Sequence, residues 1–162
     1  MTDTADTDPN DHPNVVEPPP FILAVVLAVL LGIDGLIQGP GFGLSSEARL
    51  LLGLLFAITG GTLIIVAGAK FRAAKTYIEP WKPTTKLITD GLYAWSRNPI
   101  YLGMALGYVG ICFLGDSIVA LAGLPIPVAI VHYDVILREE RYLEGKFGQA
   151  YRDYMHRVRR WL

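Results

Sequence analysis

The sequence predicts an all-α integral membrane protein with about four transmembrane helices, followed by an amphipathic helix on the cytoplasmic side. Two observations predict this class. Hydrophobic residues make up 52% of the 162 residues, and they cluster in long runs that carry almost no charge. The basic residues collect in two segments beside these runs, which is typical of membrane proteins oriented by positive charge.

The first 20 residues form a separate acidic segment. Residues 1–20 contain no Lys or Arg, and they hold five acidic residues and five prolines. A secretory signal would open with positive charge, so none is predicted. Low hydrophobicity with net charge predicts a disordered tail instead. The remaining residues, 21–162, are predicted to form one membrane-embedded domain.

Four apolar runs are the candidate spans: residues 21–37, 50–69, 99–115 and 117–137. About 20 apolar residues cross a hydrocarbon core of roughly 30 Å. The second run has this length with no charge, and the fourth nearly has it. The first and third are shorter, so we expect their ends to reach the headgroups or the bilayer to thin locally.

Glycines in the third span and prolines in the fourth predict how these helices pack and bend. Gly103, Gly107 and Gly110 lie near one face of the third helix. They favour close helix packing, with a ligand groove as the alternative. Pro125 and Pro127 predict a kink in the fourth span.

The basic residues predict the orientation. Of 14 Lys and Arg residues, six lie in the loop 70–98 and seven follow span four, while Arg49 alone lies between spans one and two. Because positive residues stay in the cytoplasm, both termini and the loop 70–98 are predicted to be cytoplasmic. The long polar segments therefore collect on that face, and we expect any active site there.

The first polar motif on this face is Arg97-Asn98-Pro99. Asn98 is predicted to cap the third helix by accepting from free backbone N–H groups. Pro99 suits the first helical position. With Arg97 beside it, this helix start can hold a carboxylate or phosphate. The alternative is a capped membrane helix with a snorkelling arginine, and the motif alone leaves both open.

The second motif is the pair Glu139-Glu140 after span four. Adjacent residues on a helix point about 100° apart, so we expect one glutamate to face inward and the other to meet solvent. The alternative is a solvated pair balanced by Arg138 and Arg141.

The segment 138–162 ends the chain with an amphipathic pattern. Gly148 predicts a break within it. Its basic residues suit an interfacial helix over anionic lipid. Apolar residues recur at intervals of about three or four: Leu143, Phe147, Tyr151, Tyr154, Val158 and Trp161.

These motifs together resemble the isoprenylcysteine carboxyl methyltransferase family. More distantly, the chain is similar to the phospholipid methyltransferases. The resemblance rests on "LITDGLYAWSRNPIYLG", then a hydrophobic hairpin, then "REERYL", "FGQAY", "RDY" and "VRRWL". It covers the chain from about residue 50 onward. Asn98 departs from the histidine of the best-known members.

The resemblance implies a membrane enzyme that transfers a methyl group from S-adenosylmethionine without a Rossmann domain. It implies a cofactor site on the cytoplasmic face, made by these residues: Lys86, Leu87, Tyr93, Asn98, Pro99, Tyr101, Leu102, and Glu139 or Glu140. Because both motifs flank one membrane hairpin, we expect the partners to be the lipid bilayer and a lipophilic methyl acceptor, with no nucleic acid. No metal is expected, since the sequence has no Cys/His cluster.

The chemistry of the residues agrees with this cofactor. Arg97 suits its carboxylate, and a glutamate suits its ribose diol or its ammonium group. Leu87, Tyr93 and Leu102 can give apolar walls to adenine. A carboxylate or thiolate acceptor needs no general base, whereas an amine would make His132, Asp134 or a tyrosine relevant. We therefore assign no catalytic base.

Several functions stay open at this point. Carboxyl O-methylation is the first expectation, with N- or S-methylation of a phospholipid or another small acceptor as the alternative. A small four-helix exporter or a scaffold protein is a different class. An exporter should carry a carboxylate deep in a span, and Asp34 lies close to the end of the first run.

Overall fold

The computed structural model describes residues 18–77 and 82–162, which form helices and no strand. A 3₁₀ turn at Gly91–Ala94 and a π-helical segment at Val131–Ile136 join the α-helices. The α-helices are α1 (Pro19–Ile37), α2 (Ser46–Ala74), α3 (Pro99–Leu114), α4 (Ile118–Ala122), α5 (Pro125–Ile130), α6 (Leu137–Phe147) and α7 (Gln149–Arg157).

Three helices are long and apolar enough to cross a membrane. They are α1 with 19 residues, α2 with 29 residues, and the 30-residue run Ile118–Phe147 that combines α4 to α6. The all-α membrane class is therefore confirmed for the described residues. The apolar helix α3 is shorter, with 16 residues, or roughly 24 Å at the helical rise. A count of four spans stays a prediction.

The boundary of the acidic tail was predicted too late in the chain. Helix α1 begins at Pro19, with Pro18 as an extended N-cap residue. Proline fits the first helical positions because their N–H groups have no partner within the helix, so Pro19 and Pro20 start the helix. Residues 1–17 lie outside the described residues.

Helix α2 extends beyond the predicted run 50–69 at both ends. The Ser45 hydroxyl accepts a hydrogen bond from the Ala48 amide at 3.3 Å and caps its start. Its end is marked by Lys75 in the left-handed conformation. A charge-free run was too strict a criterion, because Arg72 and Lys70 can extend along the helix and keep their charges in water.

Glycines bring α2 and α3 into close contact, as predicted. A Cβ atom at Gly103 would lie 2.6 Å from the Gly60 carbonyl oxygen, and one at Gly110 would lie 2.8 Å from the Ala57 amide nitrogen. Real Cβ atoms do not approach backbone this closely, so these two positions require glycine. A Cβ at Gly107 would meet nothing within 4 Å, so it does not serve the packing in the same way.

The helical run after α3 is irregular where the sequence predicted it. Between α4 and α5, the α-helix is interrupted at Gly123 and Leu124, directly before Pro125. A second break lies between α6 and α7 at Gly148, whose φ of 54° is in the region that favours glycine. The break at Gly148 separates α6 from α7, and the Tyr154 side chain of α7 contacts the 3₁₀ turn that precedes α3.

Candidate active site

A cavity of about 290 Å³ lies where α3 begins and α6 meets α7. Nine of the ten residues predicted to contact the cofactor line this cavity, and Leu102 is not among its lining residues. The nine are Lys86, Leu87, Tyr93, Arg97, Asn98, Pro99, Tyr101, Glu139 and Glu140. Residues from the loop after α2, from α3 and from α6 therefore meet at one place.

Asn98 is the N-cap residue of α3, but the prediction that its side chain caps the helix is wrong. Its side chain makes no cap hydrogen bond. The Nδ2 group instead donates to the Arg160 carbonyl oxygen at 3.0 Å, and the Asn98 amide donates to the Ser96 hydroxyl at 3.1 Å. The side chain joins two distant parts of the chain, because a carbonyl from residue 160 lies within its reach.

Glu140 is the centre of an ion-pair cluster. Arg160 Nε and Nη2 donate to its two carboxylate oxygens at 2.8 and 2.7 Å. Arg97 Nη1 lies 3.2 Å from Glu140 Oε1. Glu140 is the inward-facing glutamate of the pair, since it is buried, and its salt-bridge partners are Arg97 and Arg160 rather than the neighbours Arg138 and Arg141. Burial of this charge is possible because a bidentate arginine satisfies both oxygens.

Glu139 has a different environment on the same cavity wall. The Tyr101 hydroxyl donates to Glu139 Oε1 at 2.7 Å. No described residue forms a salt bridge with Glu139. The carboxylate therefore keeps acceptor capacity for a cationic or hydroxyl group of a ligand.

Arg97 supplies the complementary charge. Its side chain is only 9% exposed, and its Nε and Nη1 atoms are buried without a hydrogen-bond acceptor among the described residues. Leaving such donors unpaired costs about 1–3 kcal/mol, and more for charged groups. A ligand carboxylate in the cavity would satisfy them, so the residues present fit the amino-acid end of S-adenosylmethionine.

Buried tyrosines enclose the cavity from the side of α7. The Tyr154 hydroxyl donates to the Tyr93 carbonyl at 2.7 Å and joins α7 to the 3₁₀ turn. Burial raises the pKa of Tyr93, Tyr151 and Tyr154 well above its ordinary value. These hydroxyls therefore stay protonated near neutral pH.

The apolar side of α7 is covered by protein. Tyr151, Tyr154 and Val158 form a buried cluster against Leu87 and Phe147, among other residues. The predicted apolar pattern of the segment 138–162 thus serves to cover the cavity. Its placement at a lipid surface stays a prediction.

The cavity also has apolar lining residues. They come from the start of α1, from α2 and from α3: Pro19, Pro20, Ile64, Phe71, Ile100 and Met104. A cavity that combines polar groups with apolar walls suits a ligand, or a pair of ligands, with both polar and apolar parts.

Of the candidate bases, His132 and Asp134 lie outside this cavity, whereas tyrosines are part of its wall. His132 Nδ1 accepts from the Trp161 indole N–H at 3.4 Å, and Asp134 lies 4.0 Å from Arg138. Neither His132 nor Asp134 lines the cavity. Within the described ranges, no group of three or more His, Cys, Asp or Glu residues is placed to hold a metal ion.

Several residues of the site were not predicted from the sequence. Arg160 was counted among the lipid-facing basic residues, although its side chain binds Glu140. Tyr142 was not selected, although its hydroxyl accepts from the Thr84 amide at 3.2 Å and ties the loop to α6. The two consecutive arginines before Trp161 were a sequence signal that could have indicated a role for Arg160. Its partner Glu140, however, lies 20 residues earlier in the chain.

Comparisons with known proteins point to methyltransferases that are related to one another. The family model for phospholipid methyltransferases matches residues 48–150. A protein-S-isoprenylcysteine O-methyltransferase B from Arabidopsis thaliana is 30% identical over 142 residues, which cover 85% of this chain and 71% of that protein. No solved structure matches the chain.

Two further relatives match a smaller share of their own length. A protein-S-isoprenylcysteine O-methyltransferase from Tribolium castaneum is 29% identical over 119 residues, which cover 70% of this chain and 40% of that protein. A cobalt-zinc-cadmium resistance protein from Cupriavidus metallidurans is 32% identical over 82 residues, which cover 51% of this chain and 37% of that protein. The match of the family model to most of the chain, together with the Arabidopsis relative, decides the assignment: the protein belongs to the isoprenylcysteine carboxyl methyltransferase family of membrane methyltransferases.

Proposed function

We propose that this protein uses S-adenosylmethionine to methylate a lipophilic acceptor, and that the acceptor group is a carboxylate. The observation that carries the proposal is a pair of charged groups with free hydrogen-bonding capacity in one cavity. Among the described residues, the Arg97 Nε and Nη1 donors have no acceptor, and the Glu139 carboxylate accepts from the Tyr101 hydroxyl without forming a salt bridge.

Different residues of the cavity bind different parts of the cofactor in this proposal. Arg97 binds its carboxylate, and Glu139 accepts from its ammonium group or its ribose hydroxyls. Leu87 and Tyr93 give the adenine an apolar wall, and Lys86 lies exposed beside them. When bound, S-adenosylmethionine supplies an electrophilic methyl group on a sulfonium. Leu102 stays a proposed contact, although it is not part of the cavity wall.

The chain contributes positioning and exclusion of water, which can account for much of the rate of such a displacement. His132 and Asp134 do not line the cavity, and an acceptor that arrives already ionised needs no general base. A carboxylate meets this condition, and so does a thiolate. An amine acceptor would have to lose a proton.

The placement in the membrane is part of the proposal. Four spans, including the short helix α3, put both termini and the cavity on the cytoplasmic side, because 13 of the 14 basic residues then lie there. The apolar lining residues Ile64, Phe71 and Met104 belong to α2 and α3, and we propose that the acceptor enters from the bilayer along them. We propose that α7 covers the cofactor from the cytosol.

Methyl transfer in liposomes tests the proposed acceptor. Purified protein is supplied with methyl-labelled S-adenosylmethionine and one of three acceptors: a prenylated cysteine derivative, the same cysteine derivative without its chain, or phosphatidylethanolamine. We expect label in the prenylated compound, as a methyl ester that base hydrolyses to methanol. Label in phosphatidylethanolamine instead would support N-methylation, and an equal or higher kcat/KM for the chainless compound would contradict access from the bilayer.

A further inference from the structure

The residues after α7 form a strap across the wall of the cavity, which we define as residues 158–161. Two hydrogen bonds join the strap to the start of α3. The Arg97 amide donates to the Arg159 carbonyl at 3.0 Å, and the Asn98 side chain donates to the Arg160 carbonyl at 3.0 Å. The strap is thus fixed beside the two residues that begin the cofactor site.

The Arg160 side chain extends from the strap to Glu140. Its Nε and Nη2 groups contact both carboxylate oxygens at 2.8 and 2.7 Å. Arg97 contacts the same carboxylate only through Nη1, at 3.2 Å from Oε1 and without a hydrogen bond. A bidentate arginine–carboxylate pair is the stronger of these two arrangements, so Glu140 belongs mainly to Arg160.

Arg97 and Arg160 differ in how deeply their side chains are buried. The Arg97 side chain is 9% exposed, whereas that of Arg160 is 33% exposed. Arg97 lines the cavity and Arg160 does not. Glu140 carries one negative charge and contacts two positively charged arginines. Since Arg160 forms the stronger pair with Glu140, the positive charge that remains uncompensated is that of Arg97. Arg97 lies inside the cavity, where the low dielectric constant strengthens its attraction for an anion.

We propose that Arg160 is a positioning residue that occupies the Glu140 carboxylate and thereby keeps the buried Arg97 guanidinium available for the carboxylate of S-adenosylmethionine. This inference rests on the proposed function. Without Arg160, Glu140 has Arg97 as its nearest described cation. The glutamate then pairs with Arg97 and competes with the ligand carboxylate for the same donors.

The test is a cycle of variants titrated by calorimetry in detergent with two ligands. One ligand is S-adenosylmethionine, and the other is its decarboxylated analogue, which keeps the sulfonium, the ammonium group and the adenosine. Arg160→Gln should weaken binding of S-adenosylmethionine by about tenfold or more, since the charged hydrogen bond between Arg97 and the ligand carboxylate is lost. Binding of the analogue, which has no carboxylate, should stay nearly unchanged. Arg157→Gln, which removes an exposed charge three residues away, is the matched control.

The double variant Arg160→Gln/Glu140→Gln distinguishes positioning from a structural role. Removing the competing carboxylate frees Arg97 again, so the affinity should return to within about threefold of the wild type, a coupling that only a double-mutant cycle reveals. If Arg160→Gln does not fold, Arg160→Lys replaces it in the same cycle. Lysine keeps the charge but not the bidentate geometry, so a smaller loss specific to the carboxylate-bearing ligand is expected.

The outcomes separate the two proposals. Wild-type protein that binds S-adenosylmethionine, together with an Arg160 variant that loses both ligands equally or is not restored by Glu140→Gln, overturns the positioning role and leaves the proposed function standing. Folded wild-type protein that binds neither ligand overturns the proposed function, and this inference with it.

Discussion

The Tyr101 hydroxyl donates to Glu139 Oε1 at 2.7 Å, although 38 residues separate the two in sequence. Tyr101 lies in the first turn of α3, and Glu139 lies in the first turn of α6. The hydrogen bond thus joins the two sequence motifs across the hairpin between them. It also orients the one carboxylate of the cavity for which the described residues provide no cation.

Replacing Tyr101 tests this orientation. Tyr101→Phe removes the donor and leaves the ring, so the affinity for S-adenosylmethionine should fall by about 1 kcal/mol or more. Tyr108→Phe is the matched control, because the Tyr108 hydroxyl donates to the Ala120 carbonyl at 3.0 Å outside the cavity. Calorimetry should show a loss of affinity for the first variant and unchanged affinity for the second. Equal affinities would mean that the hydroxyl does not orient a ligand group.

The two adjacent glutamates should differ in their effect on cofactor binding. Glu139→Gln should weaken binding by more than about 1 kcal/mol, because a charged acceptor is lost. Glu140→Gln should weaken it less, since Glu140 is already occupied by Arg160. Equilibrium binding of labelled S-adenosylmethionine measures both. A larger loss at Glu140 than at Glu139 would reverse the roles assigned here.

Close packing of α2 against α3 predicts opposite effects at two glycines of the same helix. Gly103→Ala places a Cβ atom 2.6 Å from the Gly60 carbonyl, so the helices must separate, at a cost of about 1–3 kcal/mol. Gly107→Ala meets nothing within 4 Å and should be neutral or stabilising by up to about 1 kcal/mol through helix propensity. Thermal unfolding in detergent compares them. Similar unfolding temperatures for both variants would contradict this packing.

The proposed topology predicts which positions can be labelled from outside the cell. A cysteine at the exposed position Gln149, on α7, should resist an impermeant thiol reagent in intact cells. A cysteine at the exposed position Ser46, at the start of α2, should react, while the native Cys112 is buried. Labelling of position 149 before permeabilisation would place the cavity on the other side of the membrane.

Local signals in the sequence were sufficient for the class and for several boundaries. Helix α3 begins at Pro99, α6 ends before Gly148, and the apolar runs became the long helices. Proline and glycine change the backbone conformation of the residues next to them, so the helix boundaries that they cause can be predicted from the sequence. The start of α1 was misplaced because three consecutive prolines favour both a disordered tail and a helix N-terminus.

Contacts between distant residues could not be predicted in the same way. Asn98 was expected to cap its own helix, which is the usual local role, but its side chain donates to a carbonyl 62 residues away. From the sequence, Arg138 and Arg141 were the partners considered for the glutamate pair, but the fold brings Arg160 and Arg97 to Glu140. Eight of the residues that line the cavity were found through the family resemblance, and Arg97 was found from its position beside the start of α3. Their pairing depends on how α7 and the strap close over the cavity.

Calorimetric titration of the purified wild-type protein with S-adenosylmethionine tests the central claim most directly. One binding site is predicted, with an affinity that falls by about tenfold or more in Arg97→Gln, because the buried guanidinium then no longer meets the ligand carboxylate. Absence of binding by folded wild-type protein, or binding that Arg97→Gln leaves unchanged, would contradict the account.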